Sequence, residues 1–270
     1  MDRFDRQRQV FGDQGQERLS SATVGVVGGG GLGSFVVLEL AYLGVGRIVI
    51  VDDDVLEQSN RNRLVGAWES HPAGVPKVAV LRDLALLIDS GLMVETVRGR
   101  LDSEEAKTSL ANVDVVVGCV DHDGSRFALN EFCCQHGLTL IDCGSDTFPE
   151  EGGVVFGGRV CVATRETGCL ACFRVLDQRE VNEQLESPEQ RADRDTIYGV
   201  DRGDLNGGPA VVTVNGVIAS IAATEVMVLL IGIRAPIAHQ EWRGHRGNLR
   251  RVEDGVDGCY YCGLRPAKAK

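Results

Sequence analysis

The stretch TVGVVGGGGLGS, residues 23–34, decides the fold class of this chain. An apolar run with strand character, Thr23–Val27, leads into a turn that satisfies the pattern G-x-G-x-x-G at Gly28, Gly30 and Gly33, and an apolar helical pattern follows. Glycines in such a turn let the backbone bend tightly and let a phosphate approach the start of the helix, where N–H groups and the helix dipole hold it. The stretch therefore predicts a nucleotide-binding unit.

Beyond this turn the chain keeps alternating between strands and helices. A second strand, Arg47–Val51, ends in Asp52, roughly twenty residues after the glycines, where a carboxylate suits a ribose hydroxyl. The further predicted elements are a helix over Lys77–Ile88, a strand over Met93–Arg98, a helix over Ser103–Leu110, a strand over Val113–Val117, a helix over Ser125–Gln135 and a strand over Leu138–Asp142. This alternation predicts an α/β fold with a doubly wound, mostly parallel Rossmann-like sheet, whose strand ends share one ligand crevice.

The carboxyl-terminal half follows a different pattern. Strand-like runs at Gly153–Phe156 and Arg159–Ala163 predict an antiparallel extension of the sheet. The polar segment Gln178–Gly208 is predicted to be a long loop, Pro209 to open an apolar helix that ends near Gly232, and two short strands to follow. We expect one domain over residues 1–270, made of an N-terminal arm (1–20), a nucleotide-binding core (21–145) and a C-terminal part (146–270).

Composition limits the classes of partner. The formal net charge of −11 argues against broad binding of nucleic acids or anionic membranes, because both need a basic surface. The N-terminal sequence MDRFDRQRQV is charged and does not match a secretion signal. The longest apolar run, Val211–Ile233, contains Asn215 and Glu225 and is not expected to span a bilayer. We expect a cytoplasmic protein with no membrane partner.

Nine cysteines are many for such a chain, and metal binding is a more common reason for them in the cytoplasm than disulfides. Four of them form two Cys-x-x-Cys pairs, Cys169 with Cys172 and Cys259 with Cys262. Two intervening residues allow both sulfurs of a pair to bind one tetrahedral Zn²⁺. We predict a structural zinc held by all four; free or redox-active cysteines are the alternative.

Charged side chains are expected around the ends of the predicted strands. Asp52 or Asp54 suits a ribose hydroxyl, and Asn60 and Arg63 follow on a loop above the same strand ends. Lys77 begins the next predicted helix. An arginine and a lysine that converge beside a glycine turn can neutralise a polyphosphate.

Asp121 follows another predicted strand and is placed to hold a Mg²⁺ that bridges phosphate oxygens, since Mg²⁺ takes one or two carboxylates besides phosphates. Any one of these charges, taken alone, is more often a solvated surface group. Their coincidence at the strand ends favours a nucleotide site.

Seven motifs stand along the chain in one order: Arg3-Phe-Asp-Arg-Gln, Gly28-x-Gly-Gly-Leu-Gly, Asp52-x-Asp, Ser59-Asn-x-x-Arg, Gly74-x-x-Lys, Asp121 with Arg126 and Leu129-Asn130, and the two cysteine pairs. This ordered set resembles the ThiF/MoeB/HesA family, which shares its adenylation domain with ubiquitin-activating enzymes. The likeness covers nearly the whole chain. It implies a nucleotide-binding α/β domain closed by a cysteine-coordinated zinc, usually a homodimer, that uses ATP to adenylate the C-terminal glycine of a small ubiquitin-like or sulfur-carrier protein.

The resemblance also implies roles for single residues. Asp54 would hold the ATP ribose, Arg63 and Lys77 the phosphates, and Asp121 the Mg²⁺. Arg6 would reach the phosphates of the neighbouring subunit. The predicted nucleotide contacts are completed by Gly28, Gly30, Gly31, Gly33, Asp52 and Asn60. The loop at about 178–208 would be a crossover above the carrier's Gly-Gly tail, with a sulfur donor or conjugating protein acting afterwards.

The chain departs from the family pattern at a few positions. No cysteine lies between Cys172 and Cys259, where relatives that form a thioester usually carry the nucleophile, so we expect adenylation without that thioester. Cys119 and Cys143 fall near the crevice and are predicted to be core residues. Arg61 and His122 stand where relatives more often have leucine and asparagine.

Three other functions remain open from the sequence. An NAD-dependent oxidoreductase explains the glycine turn and Asp52, but neither Arg63 and Lys77 nor the cysteine pairs. A non-catalytic scaffold for a ubiquitin-like partner needs no triphosphate pocket. A tRNA-modifying dehydratase of the same superfamily is disfavoured by the acidic charge.

Overall fold

The structure, a computed structural model, describes residues 2–150, 153–186, 210–253 and 259–266. Eight strands form one sheet, with helices packed on its faces. The elements are α1 Asp5–Ser21, β1 Thr23–Val27, α2 Gly31–Leu43, β2 Arg47–Val51, α3 Lys77–Ile88, β3 Met93–Val97, α4 Glu104–Leu110, β4 Val115–Gly118, α5 Asp123–His136, β5 Thr139–Glu150, β6 Gly153–Ala163, α6 Gln178–Leu185, α7 Val212–Ile231, β7 His239–Arg243, β8 Asn248–Arg251 and α8 Tyr260–Gly263.

The strand order β3-β2-β1-β4-β5-β6-β7-β8 puts β1 at the point where the chain reverses its direction of winding. Strands β1 to β5 pair in parallel. In such a sheet the loops after β1 and β4 separate and leave a crevice at the carboxyl ends of these strands. The α/β class and the mostly parallel sheet of the prediction are confirmed.

The antiparallel extension begins on β5, which pairs in parallel with β4 and in antiparallel with β6. Strand β5 runs on to Glu150, although the prediction ended it at Asp142, and the two runs predicted in β6 form one strand. The prediction left Gly157 and Gly158 between the two runs. In the structure they allow close approach instead, since a Cβ on Gly157 would overlap the Trp242 carbonyl and one on Gly158 the Gly144 carbonyl.

Alternate residues of the central strands pack into two different core layers. Val24 and Val26 of β1 join the layer that includes side chains of α2, α3 and α7. Val27 joins the layer on the opposite face, with side chains of α4 and α5. The period of two that defines a strand therefore buries both faces of the sheet.

The predicted N-terminal arm is a helix. Helix α1 packs against α7, and its Leu19 is fully buried. Gly12 kinks this helix with a φ of 71°, and the Arg18 guanidinium donates a hydrogen bond of 2.5 Å to the Ile231 carbonyl. The segment has few apolar residues, so the sequence pattern did not show the face that packs on α7.

The segment predicted to be a loop from Gln178 begins with helix α6. Asp177 caps this helix, because its side chain accepts hydrogen bonds from the N–H groups of Arg179 and Glu180, and Val181 is buried. The loop prediction is therefore wrong for 178–185. Its part at 187–208, like Pro209, lies outside the described residues.

Within the described ranges, one helix, α7, is long and apolar enough to cross a membrane by length and composition. In this structure 56% of its most apolar window is buried against the rest of the fold. The helix contacts α1, α2, β5 and β6, and its Glu225 accepts hydrogen bonds from Arg234 and Gln240. These contacts are those of a core helix.

Candidate nucleotide site and cysteine cluster

At two positions of the glycine turn, backbone atoms occupy the space that a side chain would need. Gly28 has a φ of 98°, and a Cβ on it would stand 2.6 Å from the Cys119 carbonyl oxygen. A Cβ on Gly33 would overlap the carbonyl oxygen of Gly28. Gly30 is the N-cap of α2 and brings no side chain to its first turn, so the N–H groups there are directed along the helix axis toward an incoming anion. The geometry fits a phosphate site.

Asp52 ties the end of β2 to this turn. Its Oδ2 accepts a hydrogen bond of 2.6 Å from the Gly29 N–H, and its Oδ1 accepts one of 2.9 Å from the Asp54 N–H. Burial raises the pKa of the Asp52 carboxyl, and the Gly29 N–H and the charge of Lys77 offset only part of this rise. Because both Asp52 oxygens are occupied by the backbone, the more exposed Asp54 is the better placed of the two for a ribose.

Lys77, the first residue of α3, lies next to Asp54 at the carboxyl end of β2. Its Nζ lies 2.6 Å from Asp54 Oδ2, and its N–H donates a hydrogen bond of 3.1 Å to the Asp54 carbonyl. Lys77 is only 8% exposed, so its aliphatic stem is packed and its ammonium is held at the mouth of the crevice.

Arg63 approaches the glycine turn at Gly31. A Cβ on Gly31 would be 3.4 Å from Arg63 Cγ, so the arginine stem passes beside the start of α2. Its Nη1 donates a hydrogen bond of 2.6 Å to the Ser59 carbonyl. Asn60 shapes this loop, since its side-chain oxygen accepts a hydrogen bond of 3.1 Å from the Glu57 N–H. Asn60 therefore has a structural contact already, besides the nucleotide contact predicted for it.

Arg61, which stands where relatives more often have leucine, stabilises the loop that follows it. Its guanidinium donates hydrogen bonds of 2.6 Å and 2.5 Å to the carbonyls of Trp68 and His71. This side chain is thus engaged with the backbone of residues 68 and 71.

Asp121 follows β4, across β1 from the strand end that carries Asp54 and Lys77. Its carboxylate is 76% exposed and lies 3.6 Å from His122 Nε2. An exposed carboxylate with oxygens available at the strand ends fits the ligand set of Mg²⁺. Over the part of the chain that the structure describes, no hydrogen bond or ion pair joins Asp121 to Arg63 or Lys77, and a ligand would have to bridge them.

Arg6 is exposed on α1 and is not part of this group of side chains within one chain. The role predicted for it, in a neighbouring subunit, stays a prediction.

Sequence reasoning missed Asn215 and Ser145, which bring α7 and β5 to the glycine turn. Asn215 is buried, its Oδ1 accepts a hydrogen bond of 2.7 Å from Ser145 Oγ, and its Nδ2 fills the space where a Cβ on Gly31 would lie. A lone asparagine in the apolar run of α7 was the available signal.

The four cysteines of the two pairs meet at one point. Their sulfurs all lie within 4.8 Å of one another, with distances of 3.8 Å between Cys169 and Cys172, 3.7 Å between Cys169 and Cys259, and 3.5 Å between Cys172 and Cys262. Tetrahedral zinc with Zn–S bonds of about 2.3 Å requires sulfurs about 3.8 Å apart. The cluster therefore fits zinc. Hydrogen bonding, chiefly from the Cys134 thiol, lowers the pKa of Cys169 to about 4, which favours the thiolate that a metal binds.

Cys119 and Cys143 are both buried, as predicted, and their sulfurs lie 3.5 Å apart beneath the glycine turn. The hydrogen bond with Cys143 and burial raise the pKa of the Cys119 thiol, which makes it a poor nucleophile.

Comparison with known proteins decides the family. The model of the ThiF family matches residues 4–253. The chain belongs to the ThiF family. Over 95% of its length it is 29% identical to the sulfur carrier protein ThiS adenylyltransferase of Escherichia coli, of which it covers 93%. It is 36% identical over 88% of its length to the sulfur carrier protein adenylyltransferase of Thermus thermophilus, of which it covers 80%.

The SAMP-activating enzyme E1 of Haloferax volcanii is 37% identical over 52% of this ThiF-family chain, and the match covers 53% of that protein. The adenylyltransferase and sulfurtransferase MOCS3 of Caenorhabditis briggsae is longer, since 98% of this chain, at 29% identity, covers 61% of it. Among solved structures, E. coli MccB with MccA-N7isoASN superposes with a TM-score of 0.75 at 21% identity, over 97% of this chain and 75% of MccB, which supports the fold. The names of the relatives agree with the predicted ATP-dependent adenylyltransferase. They do not agree with the oxidoreductase or dehydratase alternatives.

Proposed function

We propose that this ThiF-family chain adenylates the C-terminal glycine carboxylate of a small sulfur-carrier or ubiquitin-like protein. The observation that carries the proposal is that Asp54, paired with Lys77 and tied through Asp52 to Gly29, and Arg63, which passes beside Gly31, meet at one glycine turn. These are the groups that a nucleoside triphosphate needs: a ribose acceptor and two cations. Relatives named sulfur carrier protein adenylyltransferases support the choice of substrate class.

In the proposed reaction a carboxylate oxygen of the carrier attacks the α-phosphorus of ATP. The bond from the α-phosphorus to the bridging oxygen breaks, pyrophosphate leaves with its electron pair, and an acyl-adenylate remains. The attacking carboxylate is already ionised, so no general base is required. The turn N–H groups, Arg63 and Lys77 bind and orient the phosphates, and each well-placed donor contributes roughly 3 kcal/mol in the transition state.

Asp121 would hold Mg²⁺, which neutralises phosphate charge when it is bound. The four-cysteine cluster would hold a structural Zn²⁺, because four thiolates complete a tetrahedral site and leave no position for substrate. The proposal further includes a homodimer, in which Arg6 serves the partner's site, and a downstream sulfur donor or conjugating protein. We place the enzyme in the cytoplasm.

ATP–pyrophosphate exchange tests the proposal. The purified chain is mixed with radiolabelled pyrophosphate, ATP, Mg²⁺ and each of a panel of ThiS-type carriers that end in Gly-Gly. The matched control is the same carrier without its last glycine. We expect exchange with at least one intact carrier, none with the truncated form, and at least about a hundredfold slower exchange with Asp121→Ala. Tight binding of NAD without ATP binding or exchange would overturn the proposal.

A further inference from the structure

Arg126 fixes the backbone next to Asp121 from inside helix α5. Its guanidinium Nη2 donates a hydrogen bond of 2.7 Å to the carbonyl of Val120, the residue directly before Asp121. Its Nη1 donates one of 3.2 Å to Asp123 Oδ1. Arg126 is only 7% exposed, so it holds this short loop through a rigid, buried contact.

The guanidinium is anchored in turn on β5. Arg126 Nε lies 3.4 Å from Oδ1 of Asp142, which is completely buried. A Cβ on Gly144 would stand 2.8 Å from Arg126 Nη2, so the glycine at this position makes the room that the guanidinium occupies. Burial disfavours the charge, but Asp142 and Asp123 more than offset this effect and raise the pKa of Arg126 above its usual value.

Asp123 carries the connection to a second part of the chain. While its Oδ1 pairs with Arg126, its Oδ2 accepts a hydrogen bond of 2.7 Å from the N–H of Asp177. Asp177 is the N-cap of α6. One carboxylate therefore joins the loop that carries Asp121 to the start of α6, 54 residues later in the chain.

A buried ion pair at the start of a helix is usually only a brace for the fold. The pair of Arg126 and Asp123 differs in what each residue binds besides the other. Arg126 binds the Val120 carbonyl, next to the proposed metal ligand Asp121. Asp123 binds the N–H of Asp177, at the start of α6. We propose that Arg126 and Asp123 are positioning residues that couple the metal-binding geometry of Asp121 to the start of α6. The inference rests on the proposed function.

Substitutions at Arg126 or Asp123 should change the affinity of the site for its metal. Removal of a group that orients a metal ligand lowers metal affinity by about 10- to 100-fold. Asp123→Asn keeps the shape of the side chain, but its NH₂ group has to face either the Arg126 guanidinium or the Asp177 N–H. In both orientations a donor meets a donor, and one of the two links is lost.

The test uses Mn²⁺ as the probe, with a non-hydrolysable ATP analogue, and follows its binding by electron paramagnetic resonance. We expect the dissociation constant of Mn²⁺ to rise at least about tenfold in Arg126→Lys and Asp123→Asn. Hydrogen–deuterium exchange is followed at the Asp177 amide. In the wild type we expect Mg²⁺ plus the analogue to slow this exchange, and in Asp123→Asn we expect that slowing to disappear.

Glu225→Gln is the matched control, because it weakens a different ion pair, between the buried Glu225 of α7 and the partly exposed Arg234. Glu225 lies ten residues after Asn215 in the chain. The control variant is expected to change thermal stability without changing Mn²⁺ affinity. If the Arg126→Lys and Asp123→Asn proteins fold and bind Mn²⁺ as tightly as the wild type, the inference is overturned. ATP–pyrophosphate exchange by the wild type would still support the proposed function in that case. A wild type that neither binds the Mn²⁺–analogue complex nor catalyses exchange would overturn both.

Discussion

The Lys77 ammonium lies 2.6 Å from the Asp54 carboxylate, and the lysine is almost fully buried while the aspartate is exposed. The aspartate thus neutralises the lysine at the mouth of the crevice before any nucleotide is bound. An arriving phosphate meets an ammonium whose position is already fixed, so little side-chain freedom is lost on binding.

Removal of this ammonium is expected to slow catalysis strongly. We expect Lys77→Met to reduce ATP–pyrophosphate exchange about a hundredfold, because one preorganised cation is lost at the transferring phosphate. Lys107→Met is the matched control, since Lys107 is a partly exposed lysine on α4 that pairs with the exposed Glu104. Equal exchange in both variants would contradict the assignment of Lys77.

A side chain at Gly31 is expected to be destabilising, because a Cβ on it would overlap Asn215 Nδ2. We expect Gly31→Ala to lower the free energy of unfolding by about 1–3 kcal/mol in urea denaturation. A Cβ on Gly30 would meet nothing within 4 Å, so Gly30→Ala should stay within about 0.5 kcal/mol of the wild type. If the overlap is the cause, Asn215→Ala restores part of the stability of Gly31→Ala.

The cysteine cluster is expected to carry about one zinc per chain, measured by elemental mass spectrometry. Cys262→Ser removes one of the four thiolates and should lower both the zinc content and the melting temperature. Cys161→Ser changes a buried cysteine on β6 outside the cluster and should keep the metal. Zinc retained fully in Cys262→Ser would show that the four sulfurs are not its ligands.

Arg6 is exposed on α1 and is predicted to complete the site of a second subunit. Arg6→Ala and Arg63→Ala should each abolish most exchange activity. Mixed and re-equilibrated, they should regain part of it, because one site of each heterodimer then has both wild-type arginines. Mixtures that remain as inactive as the separate variants would place Arg6 in its own subunit's site or outside catalysis.

Burial raises the pKa of Asp52 above its usual 3.8, which gives the stability of this chain a defined pH dependence. The folded state binds a proton here more readily than the unfolded state. The stabilising contribution of Asp52 to the free energy of unfolding is therefore present at low pH. It is lost as the pH rises from 3.8, the usual pKa, through the raised pKa of the folded state. We expect the unfolding free energy of the wild type, minus that of Asp52→Asn, to fall as pH rises from about 4 to about 7. A difference that grows with pH would be inconsistent with this sign.

The parts of the fold that the sequence predicted well are those with strong local patterns. Strands Thr23–Val27 and Arg47–Val51 and helix Lys77–Ile88 were predicted with their observed bounds, since each is a mostly apolar segment that borders glycine, proline or a charged residue. The prediction ended strand β5 at Asp142, too early. The part of β5 after Asp142 is stabilised by pairing with β6, which the local sequence does not indicate.

The residues of the site also fall into those that local sequence patterns predict and those that only long-range packing reveals. The spacing of the glycines and the ends of the strands predicted the neighbourhood of Asp52, Asp54 and Lys77. The contact between Asn215 and Gly31 joins residues far apart in sequence, and only the packing of α7 over the turn reveals it. The same holds for the hydrogen bond between Asp123 and Asp177.

Strand β5 has one neighbour in each half of the molecule, β4 on one edge and β6 on the other. No second sheet exists among the described residues that could come apart independently, so heat or denaturant should melt the nucleotide crevice and the cysteine cluster in a single cooperative step. A chelator that weakens the cluster would then also loosen the nucleotide crevice, and a bound nucleotide would protect the thiolates from the chelator.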